Sequence, residues 1–115
     1  MLFRSQKSTA DIYFATMGNN ASIAATKLCS LLRLEGFEAL SDINGRGLKA
    51  QMKYADKIGA KYTAVLGDNE LENKKVTIKN MQNGNTQELS LDNFVAEFYD
   101  VLMGEAFLDV ENAVL

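Results

Sequence analysis

Residues 11–36 read DIYFATMGNNASIAATKLCSLLRLEG. The stretch Asp11–Met17 is β-branched and aromatic, breaks at Gly18-Asn19-Asn20, and is followed by apolar residues at Ile23, Ala24, Leu28, Leu31 and Leu32. A short continuous apolar run predicts a buried strand, and apolar spacings of three and four predict an amphipathic helix reaching about Glu35. Gly36 stands where that helix stops. The same grammar then repeats. Phe37–Ile43 is a second short strand, Asn44-Gly45-Arg46-Gly47 a turn, and Leu48–Ile58 an amphipathic helix closed by Gly59. Lys61–Leu66 is a third strand. Strand, helix, strand, helix, strand implies right-handed crossovers and a parallel sheet.

Beyond Leu66 the style changes. Val76–Met81 and Thr86–Ser90 alternate with period two and are joined through Asn83-Gly84, a strong hairpin signal. Ser90 is positioned to cap a last helix, Leu91–Met103, with Phe94, Val95, Phe98 and Leu102 on one face. The fold class is therefore α/β, a mixed sandwich. Residues 1–10 are polar and without pattern, as a linker remnant is; 11–103 form the domain, and 104–115 a C-terminal tail.

Composition narrows the chemistry. A chain of 115 residues is one domain and is long enough to bury a core without disulfides or metal. The absence of histidine excludes imidazole acid–base catalysis, histidine triads and imidazole metal sites. No nucleophile has a recognisable base partner, so the chain reads as non-catalytic. The single cysteine, Cys29, reads as a small buried hydrophobe in a reducing cytoplasm. No apolar run approaches the roughly 20 residues of a membrane span, and Met1–Ala10 has no apolar core of a secretory signal.

The formal charge of −3 is unevenly spread. Residues 44–79 carry eight basic and four acidic side chains, whereas residues 80–115 carry seven acidic and none basic. Local sign matters more than the total to an approaching polyanion. Within the basic third, Arg46, Lys49, Lys53 and Lys57 fall within an arc of about 80° on one helix, opposite Leu48, Met52, Ala55 and Ile58. They form a cationic ridge about 16 Å long, which suits a row of phosphates. The same pattern also suits the solvated outer face of any amphipathic helix, and Asp56 sits beside it. Gly45 and Gly47 let backbone approach a ligand at the helix N-terminus.

Other signals are weaker. Gly18-Asn19-Asn20 lacks both Gly-rich phosphate-binding patterns and reads as a capping turn. Asp68, Glu70 and Glu72 form an acidic group that is either solvated loop charge or a reader of base edges, since carboxylates accept from exocyclic amines. No calcium-loop pattern accompanies them. Tyr13, Tyr54, Tyr62 and Tyr99 read as core or boundary residues.

The run DINGRGLKAQMKYADKIG, Asp42–Gly59, continuing through AKYTAVLGDNEL to Leu71, resembles the C-terminal anticodon-binding domain of histidine–tRNA ligases. That family carries G-R-S-L-K-K-Q-x-K-Y-A-D-K-x-G-A, a strand, G-x-x-E-L, and a hairpin with V-x-(V/I)-K. Gly45, Arg46, Leu48, Lys49, Gln51, Lys53, Tyr54, Ala55, Asp56, Lys57, Gly59 and Ala60 match in place, as do Gly67, Glu70, Leu71, Val76, Ile78 and Lys79. Two departures stand out: Gly47 replaces a serine or threonine, and Ala50 replaces a frequent lysine.

The resemblance implies a three-layer α/β/α fold with a five-stranded mixed sheet of order 2-1-3-4-5, strand 4 antiparallel. It implies a histidine-accepting tRNA as partner, held by its anticodon stem-loop. Gly45, Arg46, Lys49 and Lys53 would meet the RNA backbone, and Glu70, Glu72 and Lys79 the bases. The catalytic motifs of the family are absent from this chain, so ATP and Mg2+ are expected only in a separate catalytic domain of a parent enzyme, expected to be a homodimer. No cofactor and no membrane are expected for the chain itself. The other reading is a synthetase-like domain used as a regulatory or protein-interaction module. A small-molecule site at the Gly18 or Gly45 turn ranks below both.

Overall fold

The computed structural model describes residues 10–42, 45 and 47–114, with side chains through Gly104. Arg46, the leading segment 1–9 and the tail side chains Phe107, Leu108, Val114 and Leu115 lie outside the described residues.

The chain runs β1 (Ile12–Thr16), α1 (Asn19–Leu34), β2 (Ala39–Ser41), α2 (Leu48–Lys57), β3 (Tyr62–Leu66), α3 (Asp68–Asn73), β4 (Lys75–Asn80), β5 (Thr86–Ser90) and α4 (Phe94–Val114). All five strands form one sheet in the order β2-β1-β3-β4-β5. β1 pairs in parallel with β2 and β3, and β4 pairs antiparallel with both β3 and β5. This is the expected order, with the expected antiparallel fourth strand.

Strand periodicity divides the core between two faces. Ile12, Phe14, Tyr62, Ala64, Val76 and Ile78 join Leu28, Leu32, Phe94 and Phe98 from α1 and α4. Tyr13 and Ala15 face the other way, onto Ala55 of α2. The first cluster is the larger and is braced by rings: Phe98 meets Tyr62 at 5.5 Å edge-on and Phe94 at 5.7 Å stacked. Edge and offset contacts of this kind add to simple burial.

Four expectations are corrected. The acidic group after β3 is a short helix, α3, rather than a loop. It ends with Lys74 in the left-handed region at φ 58. The last helix begins at Phe94 rather than Leu91. Ser90 does not cap it through its side chain; the Ser90 N–H instead donates to Glu97 Oε1 at 2.8 Å. That helix also continues through Met103 and Gly104 as one element. β2 covers only three residues, because Phe37 turns into the α1/α4 core. Finally, Ile23 and Leu31 of the predicted apolar stripe are 54% and 50% exposed. The buried line on α1 is instead Ala21, Ala25, Leu28, Cys29 and Leu32.

Candidate nucleic-acid interface

The α2 side of the sheet is only partly covered. α2 packs over β1, and Val65 of β3 joins its cluster. Thr63 shares that face with Val65, and its register partner Lys79 therefore does too. Lys75, Thr77 and Lys79 are exposed, while Val76, Ile78 and Asn80 between them are buried. On β5 the register partners of the exposed three are Ser90, Glu88 and Thr86. An open polar sheet face thus lies on the same side as α2.

α2 is fixed there by a residue that spacing arguments overlooked. Gln51 is fully buried. Its Oε1 accepts the Thr16 N–H at 2.8 Å, and its Nε2 donates to the Thr16 carbonyl at 2.9 Å. The register of β2 against β1 ends at Phe14. Gln51 therefore serves Thr16 as a further strand residue would. Being polar on an apolar arc, it carried no hydrophobic signal; two orphan backbone groups at the end of β1 explain it. The opposite arc holds Lys49, Lys53 and Lys57, all exposed. Among the described residues none of the three has an ion-pair partner, so even Asp56 leaves them uncompensated. Gly47 is the α2 N-cap without a side-chain cap. Gly45, exposed, sits at φ +68, a conformation that favours glycine.

Of the residues expected near bases, Glu70 lines the cleft described below, whereas Glu72 and Lys79 are not among its lining residues. Glu70 Oε1 accepts the Gly67 N–H at 2.9 Å, so it caps α3. A Cβ on Gly67 would meet Met17 Cε at 3.0 Å and that same Glu70 oxygen at 3.2 Å, so a larger residue there would have to displace the ends of those two side chains. Glu72 is exposed on α3, and Lys79 lies two residues along β4 from Thr77. The cleft has a volume of about 370 Å³ and is lined by Asn69, Glu70, Asn73, Lys75, Thr77 and Glu88. Five of those six were not singled out from sequence. The alternation of β4 and β5 contained the signal for Lys75, Thr77 and Glu88, once one face was known to be bare.

A lysine ridge on α2 beside a polar, uncovered sheet face is a surface that suits a nucleic-acid strand. The residue pattern agrees: a family model described as an anticodon binding domain matches residues 11–100, and the chain belongs to that family. Within it, the similarity is to histidine–tRNA ligases. That of Acetivibrio thermocellus is 49% identical over 86 residues, 75% of this chain and 21% of that protein. That of Clostridium perfringens is 51% identical over 82 residues, 71% of this chain and 20% of that protein. The crystal structure of apo Staphylococcus aureus histidyl-tRNA synthetase superposes with a TM-score of 0.77 at 41% identity, over 84% of this chain and 25% of that one. The chain thus spans about a fifth of the length of the ligases it matches. Among the described residues no helix is long and apolar enough to cross a membrane.

Proposed function

We propose that this domain holds the anticodon stem-loop of a histidine-accepting tRNA while a separate catalytic domain, using ATP and Mg2+, charges the 3′ end. The supporting observation is the ladder Lys49, Lys53 and Lys57 on α2, without ion-pair partners among the described residues, beside the bare face of β4 and β5. Cations without protein partners are free to neutralise phosphates and release counterions. In this reading Gly45 and Arg46 also meet the RNA backbone, and Lys79 serves the bases or their backbone from the sheet. The parent enzyme is a homodimer working in the cytoplasm, and the chain needs no cofactor of its own.

The test is an NMR titration of the labelled chain with a histidine-type anticodon stem-loop, a scrambled loop, and two salt concentrations. The reading expects shifts on residues 47–57 and 69–88 that weaken with salt and with scrambling. Shifts of equal size for both loops would reduce the domain to a backbone binder. Silence at low salt would end the RNA reading.

A second reading, a protein-interaction module, is favoured by one observation on the opposite layer. Leu34 is 81% exposed on α1, next to a groove lined by Leu28, Leu31, Leu91 and Val95. Apolar surface gathered in this way marks contact sites. Leu34→Asp separates the two: it leaves stem-loop affinity unchanged if RNA is the partner of the α2 face, and abolishes protein capture if the α1 face is the working one.

A further inference from the structure

The groove between α1 and the start of α4 lies on the layer that the proposed RNA binding leaves unused. We infer that it is the docking site of this chain's own leading segment, residues 1–9. Leu2 and Phe3 would sit in the groove, and Arg4 and Lys7 would meet Glu35 and Asp92 on its walls.

The groove holds about 310 Å³, and its apolar lining includes Leu31 and Leu34 of α1 together with Leu91 and Val95. Covering aliphatic surface of this kind is favourable in water. The charged residues of the lining are Glu35 and Asp92. Both are exposed, and neither has an ion-pair partner among the described residues. The cations of α1 do not answer them. Arg33 is committed to β2, donating from Nε and Nη2 to the Ala39 carbonyl at 3.1 and 2.7 Å. Lys27 stands about two turns away from Glu35. An occupant must therefore bring apolar side chains and cations together.

Residues 1–9 read MLFRSQKST: three apolar residues, then Arg4 and Lys7, and no acid. The other end of the chain is the opposite, since 105–115 carries Glu105, Asp109 and Glu111 and no base, and the groove carboxylates would repel it. A second copy seated symmetrically would bring the same carboxylates to the seam. The leading segment also enters the fold at the right place. The Asp11 N–H donates to the Glu38 carbonyl at 2.7 Å, and the Asp11 carboxylate accepts the Glu38 N–H at 2.8 Å. Glu38 is three residues from Glu35. Ala10 packs on the α2 side, so the segment must cross the end of the sheet. Nine extended residues reach about 30 Å, more than the length of α1, about 24 Å. Exposed ion pairs are weak, so the cations set the orientation and Leu2 and Phe3 supply the hold. A chain that fills its own groove leaves that surface closed to another protein.

The experiment compares amide NMR spectra of the full chain and its variants, without RNA, at two protein concentrations. Leu2→Asp with Phe3→Asp alters only the segment. It is expected to shift amides of residues 31–35 and 91–96 while leaving those of 48–57 in place, equally at both concentrations. Glu35→Arg with Asp92→Arg is expected to move the same amides part of the way, and adding Arg4→Glu with Lys7→Glu to bring them back. Groove amides that ignore the Leu2 and Phe3 substitutions would overturn the assignment, as would changes confined to α2. Groove shifts that grow with protein concentration would place a second copy there and overturn it equally. None of these outcomes bears on the RNA reading, which concerns the other layer.

Discussion

Gln51 illustrates how a single side chain can replace an element. Its amide completes the hydrogen bonding of Thr16 where β2 has already ended, so it ties α2 to the sheet as well as filling the layer between them. Gln51→Leu keeps the volume and loses both bonds, stranding a buried N–H and a buried carbonyl. Each stranded group costs about 1–3 kcal/mol. Chemical denaturation should therefore show a loss of about 2–6 kcal/mol, and an unchanged midpoint would remove the tethering role. Cys29 is the other residue with a defined chemical state. Burial pushes its thiol up, opposed in part by the Arg33 guanidinium and a hydrogen bond with Ser41. The folded chain thus holds the protonated form more tightly than the unfolded chain does. Stability from this source is intact below the ordinary thiol range and declines as pH rises through it toward the folded value. Thiol-specific alkylation at neutral pH should be far slower in the native chain than in denaturant. Equal rates would contradict the buried placement.

At the scale of elements, the proposed function divides its work between α2 and the β4–β5 hairpin. α2 has an anchored arc and a free one, and the free arc meets the requirement for phosphate contacts. Lys49→Ala and Lys53→Ala should each weaken stem-loop binding with little regard to sequence. Each should also lower the slope of log affinity against log salt by about 0.7 to 1. A slope unchanged in both variants would mean that neither side chain meets a phosphate. The hairpin carries side chains of alternating fate, with Val76 and Ile78 in the core and Lys75, Thr77 and Lys79 outside. α3 arises for a local reason. Glu70 reaches back to the Gly67 N–H, and the acidic residues Asp68 and Glu70 occupy the first turn, where the helix dipole favours them. That cap is legible in GDNE once a helix is entertained; a cluster of three carboxylates drew the reading toward loop charge.

Across the whole molecule the two layers are unequally anchored. The α1/α4 layer brings a large aromatic and aliphatic cluster to the sheet, whereas α2 contributes Ala55, the amide of Gln51 and a few partly buried neighbours. Phe98→Ala should therefore cost about 3–5 kcal/mol in thermal or chemical unfolding. In hydrogen exchange, amides of α2 should open more readily than those of β1 and β3, which lie inside the sheet. Protection of α2 equal to that of the central strands would contradict this order. The asymmetry fits the proposed work, since the lightly held layer is the one that would adjust to RNA. The exposed apolar positions Ile23, Leu31 and Leu34 sit on the heavily packed layer, away from the cationic ridge.

Residue order alone specified the alternation of strands and helices apart from α3, the hairpin and the cationic arc of α2. Those features depend on local periodicity and turn chemistry, which a linear chain displays openly. The order of the strands came from resemblance, because pairing partners far apart in the chain leave no periodic trace. The burial of Gln51, the exposure of Ile23 and Leu31, and the exposure of Lys79 were decided in three dimensions. In each case the deciding quantity was the position of a neighbouring element: where β2 stops, which arc of α1 meets α4, and which face of β4 and β5 no helix covers. The cleft lined by Asn69, Asn73, Lys75, Thr77 and Glu88 is of the same kind. Its walls come from separate elements, α3, β4 and β5, and they face one another only after the antiparallel hairpin has closed beside the parallel core.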